Sequence, residues 1–344
     1  MYESMRSGEC WSGEGAMKGM ANRWTWRLGA MVFVSLAAFF LVRGCAFMPW
    51  NSGGGSVSVR VTVCRDFGKE VLKDEAIEVR EASSAMEALQ AVAEVETAYG
   101  GGFIQAVDGV ASQYDGGAGR KADWFFYVNG QMADVGARAY EAREGDWLLF
   151  DFHSWEYSMF TPVLAGCFPE PFVHGYGGSP EGIAVAYATG RRVEGEELAE
   201  FLASRSASSC RLVQLGGEWR PDDGEYALLV GTWQELAGNE MVAEGFLNHA
   251  RLGLFAFFEG GELRLLDAAG SLARSVDGSA GLVQGLGARL GDGESALVVT
   301  GTDEAGLRRA LDYLLGADSR APRPVPGVVL LPGGKSLALP VGRD

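Results

Sequence analysis

The side chains best suited to acid–base or metal chemistry are few and widely spaced in this chain. There are three histidines, His153, His174 and His249, and nothing in their spacing forces them to converge on one metal ion. The H-E-x-x-H pattern of zinc hydrolases and the G-x-S-x-G pattern of serine hydrolases are both missing from the sequence. We therefore predict no metal site and no catalytic residue set.

One stretch does combine groups that could exchange protons. "FPEPFVHGYGG" places Glu170, His174 and Tyr176 in a segment rich in turn residues. An extracellular hydrolase could use Glu170 and His174 as acid and base. A packed segment between two domains is the favoured alternative, so the chain is predicted not to be an enzyme.

The cysteines argue against metal and redox motifs. The five are Cys10, Cys45, Cys64, Cys167 and Cys210, and none forms a C-x-x-C pair. A zinc ribbon or thioredoxin-like site is therefore disfavoured. Two alternatives remain for the later cysteines: a Cys167–Cys210 disulfide in an oxidising compartment, or buried free thiols.

Aromatic side chains are concentrated between Ala122 and Tyr157, where ten of them surround two tight turns. In "WFFYVNG" the alternation of a β-strand places Trp124, Phe126 and Val128 on one face, and Phe125 and Tyr127 on the other. One face must cover a helix. The second either packs under a neighbouring domain or contacts a flat, partly apolar ligand. The candidate ligand contacts are Tyr127, Trp147, Trp155 and Tyr157.

Local signals around this stretch predict a small α+β domain over residues 57–157, with a mixed sheet and one helix. Val57 to Val63 alternates as a half-buried strand does, and Ser84 with Glu87 forms a capping box that begins a helix. Asp108-Gly109 and Asn129-Gly130 are typical of type I′ hairpin turns.

The same segment carries a family resemblance. "AMEALQ", "GGFIQAVDGV" and "DWFFYVNGQMADVGARAYEAREGDWLLFDF" resemble the transcobalamin C-terminal-like domain, also labelled DUF4430. In transcobalamin and intrinsic factor, such a domain caps cobalamin against an α/α barrel. The resemblance therefore implies cobalamin or another corrinoid as ligand. No such barrel is visible in this sequence, and the histidine that can ligate cobalt belongs to it, so no cobalt ligand is carried over.

After a Pro- and Gly-rich linker at 158–182, residues 183–344 are predicted to form an α/β layered domain with a mostly parallel sheet. The predicted strands are "GIAVAYA", "YALLVGT" and "SALVVTGT", and "LGLFAFFEGGELRLLD" is a predicted hairpin. The predicted helices are "EGEELAEFLASR", "ELAGNEMVAEGFLNHA", "GLVQGLGARL" and "EAGLRRALDYLL". Thr302 is the predicted N-cap of the last helix.

The N-terminal region predicts export. A 15-residue apolar run, Leu28–Val42, lies between Arg27 and Arg43, and this length fits a signal-peptide core better than a membrane span of roughly 20 residues. Residues 28–45 are thus a signal or anchor segment, residues 1–27 precede it with Met17 as an alternative start, and residues 46–56 form a flexible tether. The alternatives are lipid attachment at Cys45 and an uncleaved anchor helix that extends to Trp50.

The net charge and the expected localisation limit the classes of molecule that this chain is expected to bind. The formal net charge of −16 disfavours nucleic acid. We expect an outward-facing protein of the cell membrane that captures a ligand, with a corrinoid as the candidate ligand and an uptake transporter as the candidate partner. The alternative is a non-enzymatic envelope interaction or structural protein whose aromatic face docks its second domain and binds no small molecule.

Overall fold

The fold was determined from a computed structural model, which describes residues 55–114, 119–206, 208–287 and 295–342, with the side chain of Asp318 excepted. The signal or anchor segment, the tether and Cys45 lie outside the described residues. No helix within those ranges is long and apolar enough to cross a membrane. Gly54–Asp344 forms one compact unit, and the domain boundaries stay predictions.

The described N-terminal part of this unit contains eight strands and one helix. The strands are β1 Ser56–Arg65, β2 Glu70–Arg80, β3 Val95–Ala98, β4 Phe103–Val107, β5 Val110–Ala111, β6 Ala122–Val128, β7 Gln131–Met132 and β8 Trp147–Ser154, and the helix is α1 Ala85–Val92. Five strands form a mixed sheet in the order β2-β1-β8-β6-β7, and β3-β4-β5 form a small antiparallel sheet.

The local signals of this part are confirmed. Ser84 Oγ accepts from Glu87 N at 3.2 Å, and the Glu87 carboxylate accepts from Ser84 N at 2.8 Å, which is the predicted capping box. Asn129 and Gly130 have φ of 50° and 76°, as a type I′ turn requires. Helix α1 packs on the sheet face that carries the β1 valines, Trp124, Phe126 and Val128.

The C-terminal part is also a mixture of strands and helices. The strands are β9 Gly182–Tyr187, β10 Cys210–Gln214, β11 Glu225–Val230, β12 Ala256–Glu259, β13 Glu262–Leu266, β14 Leu272–Val276, β15 Gly281–Leu286, β16 Ala296–Gly301, β17 Gly327–Leu331 and β18 Lys335–Leu339. The helices are α2 Arg192–Ala203, α3 Trp233–Leu236, α4 Glu240–Leu247 and α5 Glu304–Leu315.

The large sheet is mixed, so the prediction of a mostly parallel sheet is not confirmed. Its order is β10-β9-β11-β16-β15-β17-β18. The first four strands pair in parallel, whereas β16-β15, β15-β17 and β17-β18 pair antiparallel. A separate antiparallel sheet, β12-β13-β14, begins with the predicted hairpin.

One wrongly predicted helix accounts for much of the difference between the predicted and the observed sheet. The sequence "GLVQGLGARL" was predicted as a helix, but its first six residues form β15 near the centre of the sheet. All six are buried, so the alternation that identifies a half-exposed strand is missing. A Cβ at Gly281 would lie 2.4 Å from Gly306 O, and one at Gly285 would lie 2.5 Å from Val163 O. Glycine is therefore required at both positions, because the backbone of another segment lies too close for a Cβ atom.

Two helix boundaries also differ from prediction. The single helix predicted after β11 is divided into α3 and α4, and Asn239 caps α4 by accepting from Val242 N at 3.1 Å. The N-cap of α5 is Asp303, whose Oδ1 accepts from Gly306 N at 2.7 Å, and not Thr302. Thr302 Oγ1 accepts instead from Ala280 N at 2.9 Å, and this hydrogen bond connects the start of β15 to the end of β16.

Candidate functional site

Two of the four predicted ligand contacts lie in a buried layer beneath the five-stranded sheet. Tyr127 on β6 is 1% exposed and Trp147 on β8 is 5% exposed. Both pack with Leu149, Leu164 and Cys167. Trp147 Nε1 donates to Thr62 Oγ1 at 2.8 Å, and the Arg60 guanidinium lies 4.2 Å from the centre of the indole ring. Neither ring offers a free face to a ligand in this conformation.

Hydrogen bonds hold this layer closed. Gln131, next to the β6–β7 turn, donates from Nε2 to the hydroxyl of Tyr226 at 2.6 Å, and its Oε1 accepts from Ser295 Oγ at 2.8 Å. Leu164 N donates to Gly130 O at 2.8 Å. Both partners of Gln131 belong to the large sheet or its flank, so the aromatic face contacts the C-terminal part.

The third predicted contact, Tyr157, is half-buried and also joins the two parts. Its hydroxyl donates to Leu254 O at 3.0 Å and lies 2.8 Å from His249 Nδ1. Its ring lies 5.3 Å from that of Phe255. A Cβ at Gly270 would lie 2.0 Å from the Tyr157 ring, so glycine is required for this approach. Burial lowers the pKa of His249, which favours its neutral form.

The fourth predicted contact, Trp155, is partly exposed. It is half-exposed at the end of β8, and its Nε1 donates to Asp123 Oδ2 at 2.7 Å. The ring of Tyr114, itself 42% exposed, meets the indole edge to face at 5.0 Å. Lys121 Nζ lies 5.3 Å from the centre of the indole ring. These three side chains, Trp155, Tyr114 and Lys121, are called the Trp155 surface below.

The sequence analysis missed a buried Asp–His pair on the same sheet face. Asp151 and His153 are 3% and 2% exposed, and Asp151 Oδ2 lies 2.6 Å from His153 Nδ1. The imidazole is stacked between Phe67 and Phe125, at ring distances of 4.2 and 4.1 Å. Asp151 Oδ1 accepts from Gly68 N at 3.1 Å. The signal was present, because residues two apart in a strand share a face. Burial gives the pair no route to a substrate.

The cysteines of the described residues are free thiols. Cys64, Cys167 and Cys210 form no disulfide, which selects the second of the two alternatives. Burial raises the pKa of each thiol, well above the usual range for Cys64 and Cys167. A thiol that stays protonated is a poor nucleophile, so none of the three resembles a catalytic cysteine.

The candidate hydrolase residues are only partly brought together. Glu170 Oε1 lies 2.5 Å from His174 Nδ1, and Glu170 Oε2 accepts from His174 N at 3.1 Å. The hydrogen bond to Glu170 raises the pKa of His174. The hydroxyl of Tyr176 instead donates to Asp134 at 2.5 Å. The structure therefore gives an acid–base pair without the third group.

The residues of the family motifs form a structural network. Asn129 donates from Nδ2 to Asp146 Oδ1 at 3.1 Å and to Gly175 O at 2.6 Å, and it accepts from Trp147 N at 2.7 Å. Tyr140 donates to Asp146 Oδ2 at 3.0 Å. Burial raises the pKa of Asp146. The V-N-G, G-A…Y and G-D motifs thus fix one turn against the next rather than line a ligand site.

No metal centre emerges from these side chains. Across the described ranges 55–114, 119–206, 208–287 and 295–342, no group of three or more His, Cys, Asp or Glu residues is arranged to hold a metal ion. The three histidines each have a different aromatic or acidic neighbour, Phe125 for His153, Glu170 for His174 and Phe257 for His249.

Two solved structures resemble less than a third of this chain. A structure of haptocorrin in complex with Cbi matches at 18% identity with a TM-score of 0.25, over 29% of this chain and 25% of the haptocorrin chain. This chain thus spans a quarter of that protein. A candidate metal-binding protein from Ruminococcus gnavus ATCC 29149 matches at 20% identity with a TM-score of 0.22, over 28% of this chain and 95% of that one. No curated protein matches the chain.

The family comparison agrees with the motifs. The family described as domain of unknown function (DUF4430) matches residues 82–154. This range includes α1, both predicted hairpin turns and the aromatic strands β6 and β8. The prediction made from the sequence motifs is therefore confirmed, and residues 82–154 are a DUF4430 domain.

Proposed function

We propose that this chain is a ligand-binding protein whose DUF4430 domain contacts its ligand through the Trp155 surface. The single observation behind this proposal is the partly exposed indole of Trp155 beside an exposed tyrosine and a lysine. The hydrogen bond from its Nε1 to Asp123 fixes the ring, so little conformational entropy is lost on stacking. A fixed aromatic ring with a polar rim suits a flat ligand that is apolar on its faces and polar at its edge.

A corrinoid is the first ligand to test. The motifs of residues 82–154 resemble the transcobalamin C-terminal-like domain, and a corrin ring has the flat apolar faces and amide-bearing rim that the Trp155 surface suits. The chain would act without catalysis, and an extracellular hydrolase using Glu170 and His174 is the enzymatic alternative. The corresponding partner is an uptake transporter, to which the chain would deliver the corrinoid.

Cobinamide and hydroxocobalamin are suitable probes because their visible absorbance can be followed during gel filtration and titration. Trp155→Ala should weaken binding about 5- to 150-fold, since an anchoring aromatic side chain contributes about 1–3 kcal/mol. Tyr99→Ala is the matched control, because Tyr99 is 92% exposed in the same domain but lies outside the Trp155 surface. Equal losses in both variants, or wild-type protein that binds neither probe at high micromolar concentration, would refute the corrinoid proposal.

The location proposed for this activity is the outer side of the cell membrane. Its support is the apolar run Leu28–Val42, which is flanked by arginines, and Cys45 directly after it. Fractionation should recover the full chain with membranes. Cys45→Ala should change its processing or release it if Cys45 carries a lipid, and should change neither if an uncleaved helix is the anchor.

The alternative is an envelope interaction or structural protein without a small-molecule ligand. The observation that favours it is the burial of Tyr127 and Trp147 against Leu164 and Cys167, which follow the DUF4430 domain in the chain. Tyr127→Ala should then lower the free energy of unfolding by about 3–5 kcal/mol, as truncation of a buried aromatic does. Trp155→Ala should leave stability nearly unchanged under both proposals, so binding by wild type separates them.

A further inference from the structure

A groove at the junction of the two parts of the molecule carries two cationic side chains and no anionic one. It is lined by Lys69, Arg274, Ser336, Leu337, Pro340 and Val341, together with Ala273, Ala338 and Gly342, and has a volume of about 390 Å³. We call it the Lys69 groove. Its walls are the edge strands β14 and β18 of two different sheets. Ligand sites favour such junctions and this size range.

The position of Lys69 is fixed by the turn that precedes it. Asp66, Phe67 and Gly68 adopt φ of 55°, 60° and 71°, three successive left-handed residues. Phe67 is 3% exposed and packs edge to face on Phe255 at 5.0 Å, so the tip of the β1–β2 hairpin is anchored in the C-terminal part. A Cβ at Gly68 would lie 2.2 Å from Pro324 O. Backbone strain of this kind is maintained where the surroundings hold it, and it often marks a functional site.

The two cations lack internal partners. In the part of the chain that the structure describes, neither the Lys69 ammonium nor the Arg274 guanidinium has a hydrogen-bond or ion-pair partner. Burial lowers the pKa of Lys69, against the opposing effects of Asp66 and Asp151. Asp66 and Asp151 act on the Lys69 ammonium without forming an ion pair with it, so an anion that bound it directly would add a charge-assisted hydrogen bond.

The acidic side chains nearby lie in an adjoining cavity of about 610 Å³, which shares Lys69 and Val341 with the groove. They are Asp66, Glu70 and Asp267; Asp66 acts on Lys69, and the other two have partners within the chain. Glu70 pairs with Arg65 at 2.7 Å, and Asp267 Oδ1 accepts from Ala269 N and Ser271 N at 2.9 Å each. The lining of the Lys69 groove itself thus contains two cationic side chains and no carboxylate.

We propose that the Lys69 groove binds a small organic anion, with a phosphate or carboxylate between Lys69 and Arg274 and an apolar body against Leu337, Pro340 and Val341. The net charge of the chain is −16, so two cations without ion pairs facing one cavity are not explained by general surface composition. The site lies outside the Trp155 surface and does not depend on the proposed function.

Calorimetric titration of the full chain with 1-naphthyl phosphate tests this site, because the probe joins an anion to a flat apolar body. Titration with 1-naphthoate compares the carboxylate with the phosphate, inorganic phosphate tests the anion alone, and 1-naphthol tests the apolar body alone. We expect the charged aryl probes to bind more tightly than 1-naphthol, and their affinity to fall with added salt.

Lys69→Gln and Arg274→Gln should each weaken binding of the better aryl anion about tenfold, because each removes a charge-assisted hydrogen bond. Lys335→Gln is the matched control: it removes the same charge from the first residue of β18, which does not line the groove. It should change the affinity less than about twofold, as should Trp155→Ala. Wild-type protein that binds no probe, 1-naphthol that binds as tightly as the anions, or equal losses with Lys335→Gln would overturn the proposal.

Discussion

At the anchored tip of the β1–β2 hairpin we expect glycine to be more stable than alanine, which is the opposite of their usual order. Phe67 is 3% exposed, stacks on His153 at 4.2 Å and meets Phe255 at 5.0 Å, yet its φ is 60°. Phe67→Ala should lower the free energy of unfolding by about 3–5 kcal/mol through the lost aromatic contacts. Phe67→Gly loses the same contacts but also relieves the left-handed strain, which costs roughly 1–2 kcal/mol in a residue with a Cβ.

The glycine variant should therefore be more stable than the alanine variant by about 1 kcal/mol. Urea unfolding followed by tryptophan fluorescence measures both. Phe150 provides the matched control, because it is 0% exposed in the middle of β8, an ordinary strand position. There glycine should be less stable than alanine by about 0.5–1 kcal/mol. If glycine is also the worse substitution at Phe67, the reasoning from backbone strain is refuted.

Two further predictions concern the polar network and the interdomain histidine. Asn129→Ala should lower the free energy of unfolding by about 3 kcal/mol, because it leaves Trp147 N and Gly175 O without partners in the interior. Gln214→Ala, at an exposed position of β10, is the control and should lower it by only about 0.3 kcal/mol. Equal losses in denaturant unfolding would contradict the role of the network. The pKa of His174, measured by NMR titration, should lie above 6.5, and Glu170→Gln should lower it. Since the folded pKa is raised, the stabilisation by this pair should be complete below about pH 6.5 and should be lost as the pH rises through the folded pKa; a His174 pKa unaffected by Glu170→Gln would contradict the assignment.

Short-range signals in the sequence predicted the N-terminal part well. The capping box at Ser84, the Asn129-Gly130 turn and the alternation of Trp124 and Phe126 each depend on residues within a few positions of one another. Such features require only local geometry, and residues 82–154 belong to the family that the motifs indicated.

Features that depend on distant partners were not predictable in the same way. β15 is buried on both faces, and its glycines matter only because Gly306 and Val163 approach them. Strand β17 pairs with β15, from which β16 and α5 separate it in the chain. The Asp151–His153 pair was visible as a spacing, but its burial depends on Phe67, which is 86 positions before His153.

The closed aromatic layer limits where a ligand can bind, and it yields a last prediction. A ligand that reached Tyr127 and Trp147 would have to expose both rings and break the hydrogen bonds of Gln131 with Tyr226 and Ser295. Two aromatic side chains contribute about 2–3 kcal/mol each and two buried hydrogen bonds about 1 kcal/mol each, so opening costs roughly 7 kcal/mol.

That free energy would reduce the observed affinity about 10⁵-fold relative to an open site. Binding at the Trp155 surface requires no opening. Hydrogen exchange at the Leu164 amide, which donates to Gly130 O across the closed layer, should therefore be as slow with a bound corrinoid as without it. Faster exchange at Leu164 on ligand binding would contradict the Trp155 surface, because the ligand would then be selecting the open form and contacting Tyr127 and Trp147.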